Sequence, residues 1–321
     1  MNTSLSDHLQ SIIGLDYIQK HNLDKNHVFY SIHNKLLGEV SADERMNILF
    51  HFEEIKKILS RARRSQMNVA NLALKGLEKL NLTYTNQIAG IGMESIHLPM
   101  LAYLDYVNEN FDLAELHLTR SIELLQVLID HGIEDCKIAS LEQYLNLFKV
   151  YMNVGKVDQA VSIVLNLLSY TIGYPSGPIN FSSLRTHSRN EQLDVLHFYV
   201  NSIFKFLLLK TRKDTLLSTS VKVAVLEKLA LDLQCSDLDN DLIPNLKQMI
   251  LFVINGNYEQ EDFTAVVPIE TIFSPDVPSF LQFQILQRMI YPENGLLISG
   301  ETTIDMEILK IYAKNVLELT L

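Results

Sequence analysis

"YLDYVNENFDLAELHLTRSIEL", Tyr103–Leu124, and "KVYMNVGKVDQAVSIVLNLLSY", Lys149–Tyr170, share one plan once Asn108-Glu109-Asn110-Phe111 is laid on Val154-Gly155-Lys156-Val157. Each carries apolar residues at spacings of three and four, which marks a helix with one buried face. Each then breaks at Glu109 or Gly155, places an apolar residue two positions on (Phe111, Val157) and an alanine three beyond that (Ala114, Ala160). A glycine accepts the left-handed turn that ends a helix, and an alanine lets the next helix approach closely. The plan is helix, tight turn, helix. In the same register Leu118 meets Val164 and Tyr106 meets Met152. A third echo, "LFVINGNYEQEDF", puts Gly256 and Tyr258 at the turn positions, with Glu261 in place of the alanine and Pro268 stopping the second helix early.

Composition agrees with hairpins of this kind. Hydrophobic residues make up 47% of the 321 and charged residues 20%, enough to bury a sizeable core and too apolar for a disordered chain. With only 12 Gly and 8 Pro, the chain lacks the punctuation that a sandwich or barrel requires. The three-and-four spacing predicts helices near 5–20, 27–37, 42–63, 66–80, 94–109, 111–131, 138–153, 156–172, 188–210, 217–233, 240–255, 278–290 and 303–319. The 42–63 helix has the clearest start, with Ser41 as N-cap, Glu44 three residues on to complete a capping box, and Asp43 and Glu44 in the first turn. Two segments interrupt the rhythm: a long loop over 173–190, and a Pro-punctuated stretch over 265–278 that predicts a short strand or an isolated turn. The fold class expected is all-α, stacked antiparallel hairpins in an α-α superhelix. The expected organisation is one elongated domain over 1–321, subdividing into N-terminal helices (1–90), repeat-like hairpins (91–172) and C-terminal helices (188–321).

Over roughly 94–172, with a fainter extension to 262, this plan resembles the tetratricopeptide-repeat-like helical superfamily. The two copies lie 46 residues apart, longer than the usual 34-residue period, so longer helices are implied. The resemblance implies that the first helix of each hairpin lines a concave groove that takes a peptide or a partner segment. Carried over to this chain, the groove residues are Tyr103, Tyr106 and Val107 in one copy, and Leu145, Lys149, Met152 and Asn153 in the next. Tyrosines suit such a role because they offer large contact area with a polar tip. The Lys and Asn pattern by which some members clamp a terminal carboxylate is not visible.

The residues offer little to catalysis. "AGIGMES", Ala89–Ser95, has Gly90-x-Gly92 but Ser95 where a dinucleotide fingerprint wants a third glycine, and no strand precedes it; it reads as a loop between hairpins. "DLDND", Asp237–Asp241, begins like a calcium loop, but Leu242 and Gln248 stand where the turn glycine and bidentate glutamate belong. Its simpler role is an acidic cap for the helix that follows. "HFEE", His51–Glu54, lacks a second histidine at zinc spacing, and His97, His117 and His197 fall on apolar faces as packing residues. Cys136 and Cys235 have no pairing motif, which suits free thiols. No catalytic residue, metal site or cofactor is expected.

Net charge is −11, unfavourable for a phosphate backbone. The one basic run, "KKILSRARR", Lys56–Arg64, lacks interleaved aromatics for base stacking, and its cations suit the negative end of a helix dipole, although an acidic patch on a partner would also suit them. The opening residues carry no signal-peptide pattern, and nothing has the length to span a bilayer. The expectation is a cytoplasmic, non-enzymatic scaffold that binds a protein or peptide and neither nucleic acid nor membrane. An all-α enzyme with a metal-dependent site near Asp237–Asp241 is the alternative, and a peptide-sensing regulator a third reading.

Overall fold

The computed structural model describes residues 40–80, 82–133, 135–171, 189–208, 219–233, 242–255 and 269–272, with isolated positions at 32, 36, 38, 267, 277, 278, 281, 282, 284 and 285. The helices are α1 (Ala42–Arg63), α2 (Met67–Lys79), α3 (Gln87–Val107), α4 (Phe111–Asp130), α5 (Cys136–Val154), α6 (Val157–Thr171), α7 (Arg189–Leu208), α8 (Thr219–Asp232), α9 (Leu242–Asn255) and the single turn α10 (Ile269–Ile272). No strand occurs among the described residues, and the 265–278 stretch contributes the helical turn α10. The expected helices at 5–20 and 303–319, most of the 173–190 loop, the 237–241 string, and the turn at Gly256 and Tyr258 lie outside the described residues.

The described residues fall into two compact units, one ending at Val154 and the other beginning at Gly155. In the first, α1 packs on α2 and α3, α3 on α4, and α4 on α5. The reason is legible on α4: Ala114, Leu118, Ser121, Leu125 and Leu128, at spacings of four and three, are all buried. Helix α5 is buried on most sides, with Leu141, Leu145, Phe148, Val150 and Met152 at or below 2% exposure. An apolar pattern that runs around a helix places it inside, and each such side chain contributes about 1.5–3 kcal/mol on burial. In the second unit α6 packs on α7 and α8, and α8 on α9, around Ala160, Val164, Leu168, Ile203, Phe204, Leu229 and Phe252.

Helix ends follow a repeated device. Residues Ser65, Glu109, Gly132 and Gly155 all have positive φ, at 61°, 62°, 86° and 71°. At three of them the backbone closes the helix identically: Ser65 N donates to Ala62 O and Gln66 N to Arg61 O, Glu109 N to Tyr106 O and Asn110 N to Asp105 O, Gly132 N to Ile129 O and Ile133 N to Leu128 O. This paired closure satisfies carbonyls that a helix end leaves without intrahelical donors. Glu109 and Gly155 share the positive φ that ends their helices, Gly155 without the same pair of closing bonds, and Ala114 and Ala160 are each 0% exposed.

Three local expectations change. The "AGIGMES" glycines belong to the first turns of α3, not to a loop, because Asn86 caps that helix by accepting from Ala89 N at 3.0 Å. A Cβ on Gly92 would lie 2.4 Å from Leu36 Cδ1, so the glycine serves helix packing. The capping box at Ser41 is only half formed. Ser41 Oγ accepts from Glu44 N, but the buried Glu44 carboxylate accepts from Thr85 Oγ1 at 3.0 Å and Asn86 N at 2.8 Å, tying α1 to the start of α3. Finally, α3 continues through Pro99. Proline has no N–H for the carbonyl four residues back, which is that of Ser95. Ser121 on α4 supplies the donor instead, its Oγ 2.9 Å from Ser95 O, with both residues 0% exposed.

Candidate partner-binding face

Within the first unit, side chains of α1, α3 and α5 meet through residues singled out above. The Arg63 guanidinium, at the end of α1, sits 6.0 Å from the centre of the Tyr103 ring on α3, a cation-π approach. Tyr103 is half-buried and packs against the core. Three residues on, and so on the same side of α3, the Tyr106 hydroxyl accepts a 2.8 Å hydrogen bond from Asn153 Nδ2 on α5. The same Asn153 amide donates to Lys149 O at 2.8 Å, which fixes its direction. The Tyr106 ring also meets Phe111 edge-on at 5.7 Å, closing the turn at Glu109. Val107, beside Tyr106, is 41% exposed.

The seven predicted groove residues thus separate. Tyr106 and Asn153 are joined directly; Tyr103 extends the row to Arg63, Lys149 lies one turn before Asn153, and Val107 adds exposed apolar surface. Leu145 and Met152 are 2% and 1% exposed and pack inside. The open side of α5 carries Glu142, Asn146, Lys149 and Asn153 instead, each half-buried and spaced by four, three and four. Asn153 and Asn146 escaped an apolar-periodicity reading only in part; their shared stripe becomes visible once the helix register is known.

A second constellation was not visible in sequence. Tyr84 Oη lies 2.6 Å from His51 Nδ1, and His51 Nε2 lies 2.9 Å from His97 Nδ1, linking the segment before α3 to α1 and then to α3 itself. His117 on α4 continues the series, with Nδ1 3.1 Å from Asp105 Oδ2. Burial, then the neighbouring His97, holds the His51 pKa down to about 4. Burial and His117 lower that of His97 as well, and burial followed by the Glu44 carboxylate raises that of Tyr84. The His51 and His97 rings are therefore neutral near pH 7, and with Tyr84 they form a hydrogen-bonded polar seam between α1 and α3. On α4 and α5, Glu115 and Tyr151 form a further link, and burial and that carboxylate push the Tyr151 hydroxyl up to about 12.

No group of three metal-ligating side chains converges among the described residues. No described helix is long and apolar enough to cross a membrane. Lys56 and Lys57 of the basic run pair with Glu53 and Glu54 at 2.8 and 2.6 Å. Comparison of the chain with protein-family models, with characterised proteins and with solved structures found no match.

Proposed function

We propose that the chain is a protein- or peptide-binding scaffold whose binding face is the row formed by α1, α3 and α5. The observation that carries this reading is the pair of cross-helix contacts, Arg63 on Tyr103 and Tyr106 on Asn153. They align half-buried tyrosine, asparagine and lysine side chains from alternate helices on one side. The tyrosines supply contact area at low conformational cost, and the asparagine and lysine supply hydrogen-bond donors, which suits an extended peptide. The arrangement favoured is tetratricopeptide-like: helix pairs α1 with α2 and α3 with α4, the odd helices lining the inner face. The contacts of α1 with α3 and of α4 with α5 support it.

Selection of a random-peptide display library on the purified chain tests the proposal. Peptides that bind the wild type should lose affinity by tenfold or more on Tyr103→Ala and on Lys149→Glu, with far-ultraviolet circular dichroism unchanged. Equal affinity for both variants would overturn the assignment of the face.

A further inference from the structure

We propose that the α1 end of this face is an acidic-peptide subsite, built from Arg61, Arg63 and Arg64 against Tyr103; the proposal rests on the scaffold reading and names its partner's chemistry. Three arginines fall within four positions at the close of α1, Arg63 and Arg64 exposed and Arg61 half-buried. None of the three forms an ion pair with a described residue. The contrast with the same helix one turn earlier is direct: Lys56 and Lys57 are neutralised by Glu53 and Glu54. Elsewhere on the first unit Arg120 is likewise engaged, by Glu94 and Glu123.

Placement against the helix dipole accounts for cations here, but it requires neither three guanidinium groups nor the approach of Arg63 to Tyr103. The turn at Ser65 already satisfies the Arg61 and Ala62 carbonyls through Gln66 N and Ser65 N, so the guanidinium groups are not needed to cap them. Arg63 instead lies over the Tyr103 ring and is itself exposed. A guanidinium held this way matches a carboxylate bidentately. The chain as a whole is acidic, with net charge −11; salt screens those distant charges over about 8 Å at physiological ionic strength. The local arginines then set the field, and the surrounding acidity discourages ligands that reach beyond them. A nucleic acid presents phosphates over a longer span and no side chain for Tyr103. An acidic peptide with an apolar or aromatic residue beside its carboxylates fits both features.

The test uses a fluorescein-labelled peptide with four glutamates beside a Tyr-Leu pair, and a matched peptide with glutamine at each glutamate, read by anisotropy on the full chain. The acidic peptide should bind at least tenfold tighter than the glutamine version and weaken several-fold between 50 and 200 mM salt, a range over which exposed ion pairs are progressively screened. Arg63→Gln with Arg64→Gln should remove at least tenfold of that affinity with the circular dichroism spectrum retained, and Arg63→Lys should lose part of it. Equal binding of the two peptides, no effect of the Gln variants, or tighter binding of a 20-base-pair DNA duplex or of phosphatidylserine vesicles would overturn the proposal. If display-selected neutral peptides still depend on Tyr103 and Lys149, the scaffold reading survives that failure.

Discussion

Ser121→Ala removes the side-chain donor at the Ser95 carbonyl, where Pro99 withholds the usual helix N–H. Pro99 lacks the N–H that would point at that carbonyl, and Ser121 Oγ stands in at 2.9 Å. Both residues are 0% exposed, so water does not replace the lost donor. A buried carbonyl stripped of its partner costs about 1–3 kcal/mol, and the small void left by one oxygen adds little; the expected loss is about 2 kcal/mol. A rescue isolates the cause. In Pro99→Ala, the amide of residue 99 regains its bond to Ser95 O, and Ser121→Ala in that background should cost less than about 0.5 kcal/mol. Urea unfolding followed at 222 nm measures all four proteins, with unchanged slopes required for comparison. Equal costs in the two backgrounds, or a cost below about 0.5 kcal/mol in the wild type, would refute the reasoning.

Other consequences are measured in the same way. Glu109 is a non-glycine residue at φ 62°; Glu109→Gly relieves a left-handed penalty of about 1–2 kcal/mol at a somewhat smaller chain-entropy cost, so a gain of up to about 1 kcal/mol is expected. Gly76→Ala and Gly92→Ala should differ in sign. A Cβ at Gly76 meets nothing within 4 Å and should stabilise α2 by up to about 1 kcal/mol. One at Gly92 lies 2.4 Å from Leu36 Cδ1, where overpacking costs about 1–3 kcal/mol. The histidine seam makes stability depend on pH. His51 has its pKa held at about 4, below the ordinary 6.5, so the unfolded chain takes up its proton first and stability falls as pH drops from about 6.5 towards 4. Discounted for partial hydration, the His51 contribution between pH 7 and pH 5 is about 1 kcal/mol, and His51→Phe should flatten that part of the profile.

The hairpins were legible because their signals are local. The three-and-four spacing on α4 and the alanines at 114 and 160 appear in any reading of the chain, and the backbone at Glu109 and Gly155 follows the register they set. Helix α3 began earlier than expected because Gly90 and Gly92 count as breakers locally, whereas the Asn86 cap and the approach of Leu36 are decided by packing. The same holds for the polar interior. Pro99 implies an orphan carbonyl at Ser95, but no spacing rule selects Ser121 to answer it. His51 and His97 meet across 46 residues, a distance over which no motif speaks. Among the groove residues, Tyr106 and Asn153 lie together while Leu145 and Met152 face inward, because a helix buried on most sides hides which of its faces remains open.

Photo-crosslinking locates a peptide bound along α1, α3 and α5. A benzoylphenylalanine at Val107, 41% exposed beside Tyr106, is compared with one at Leu116, 60% exposed on α4, each with a display-selected peptide bound. Adducts are expected from position 107, competed by unlabelled peptide, and none from position 116. Adducts from position 116 alone would contradict that placement.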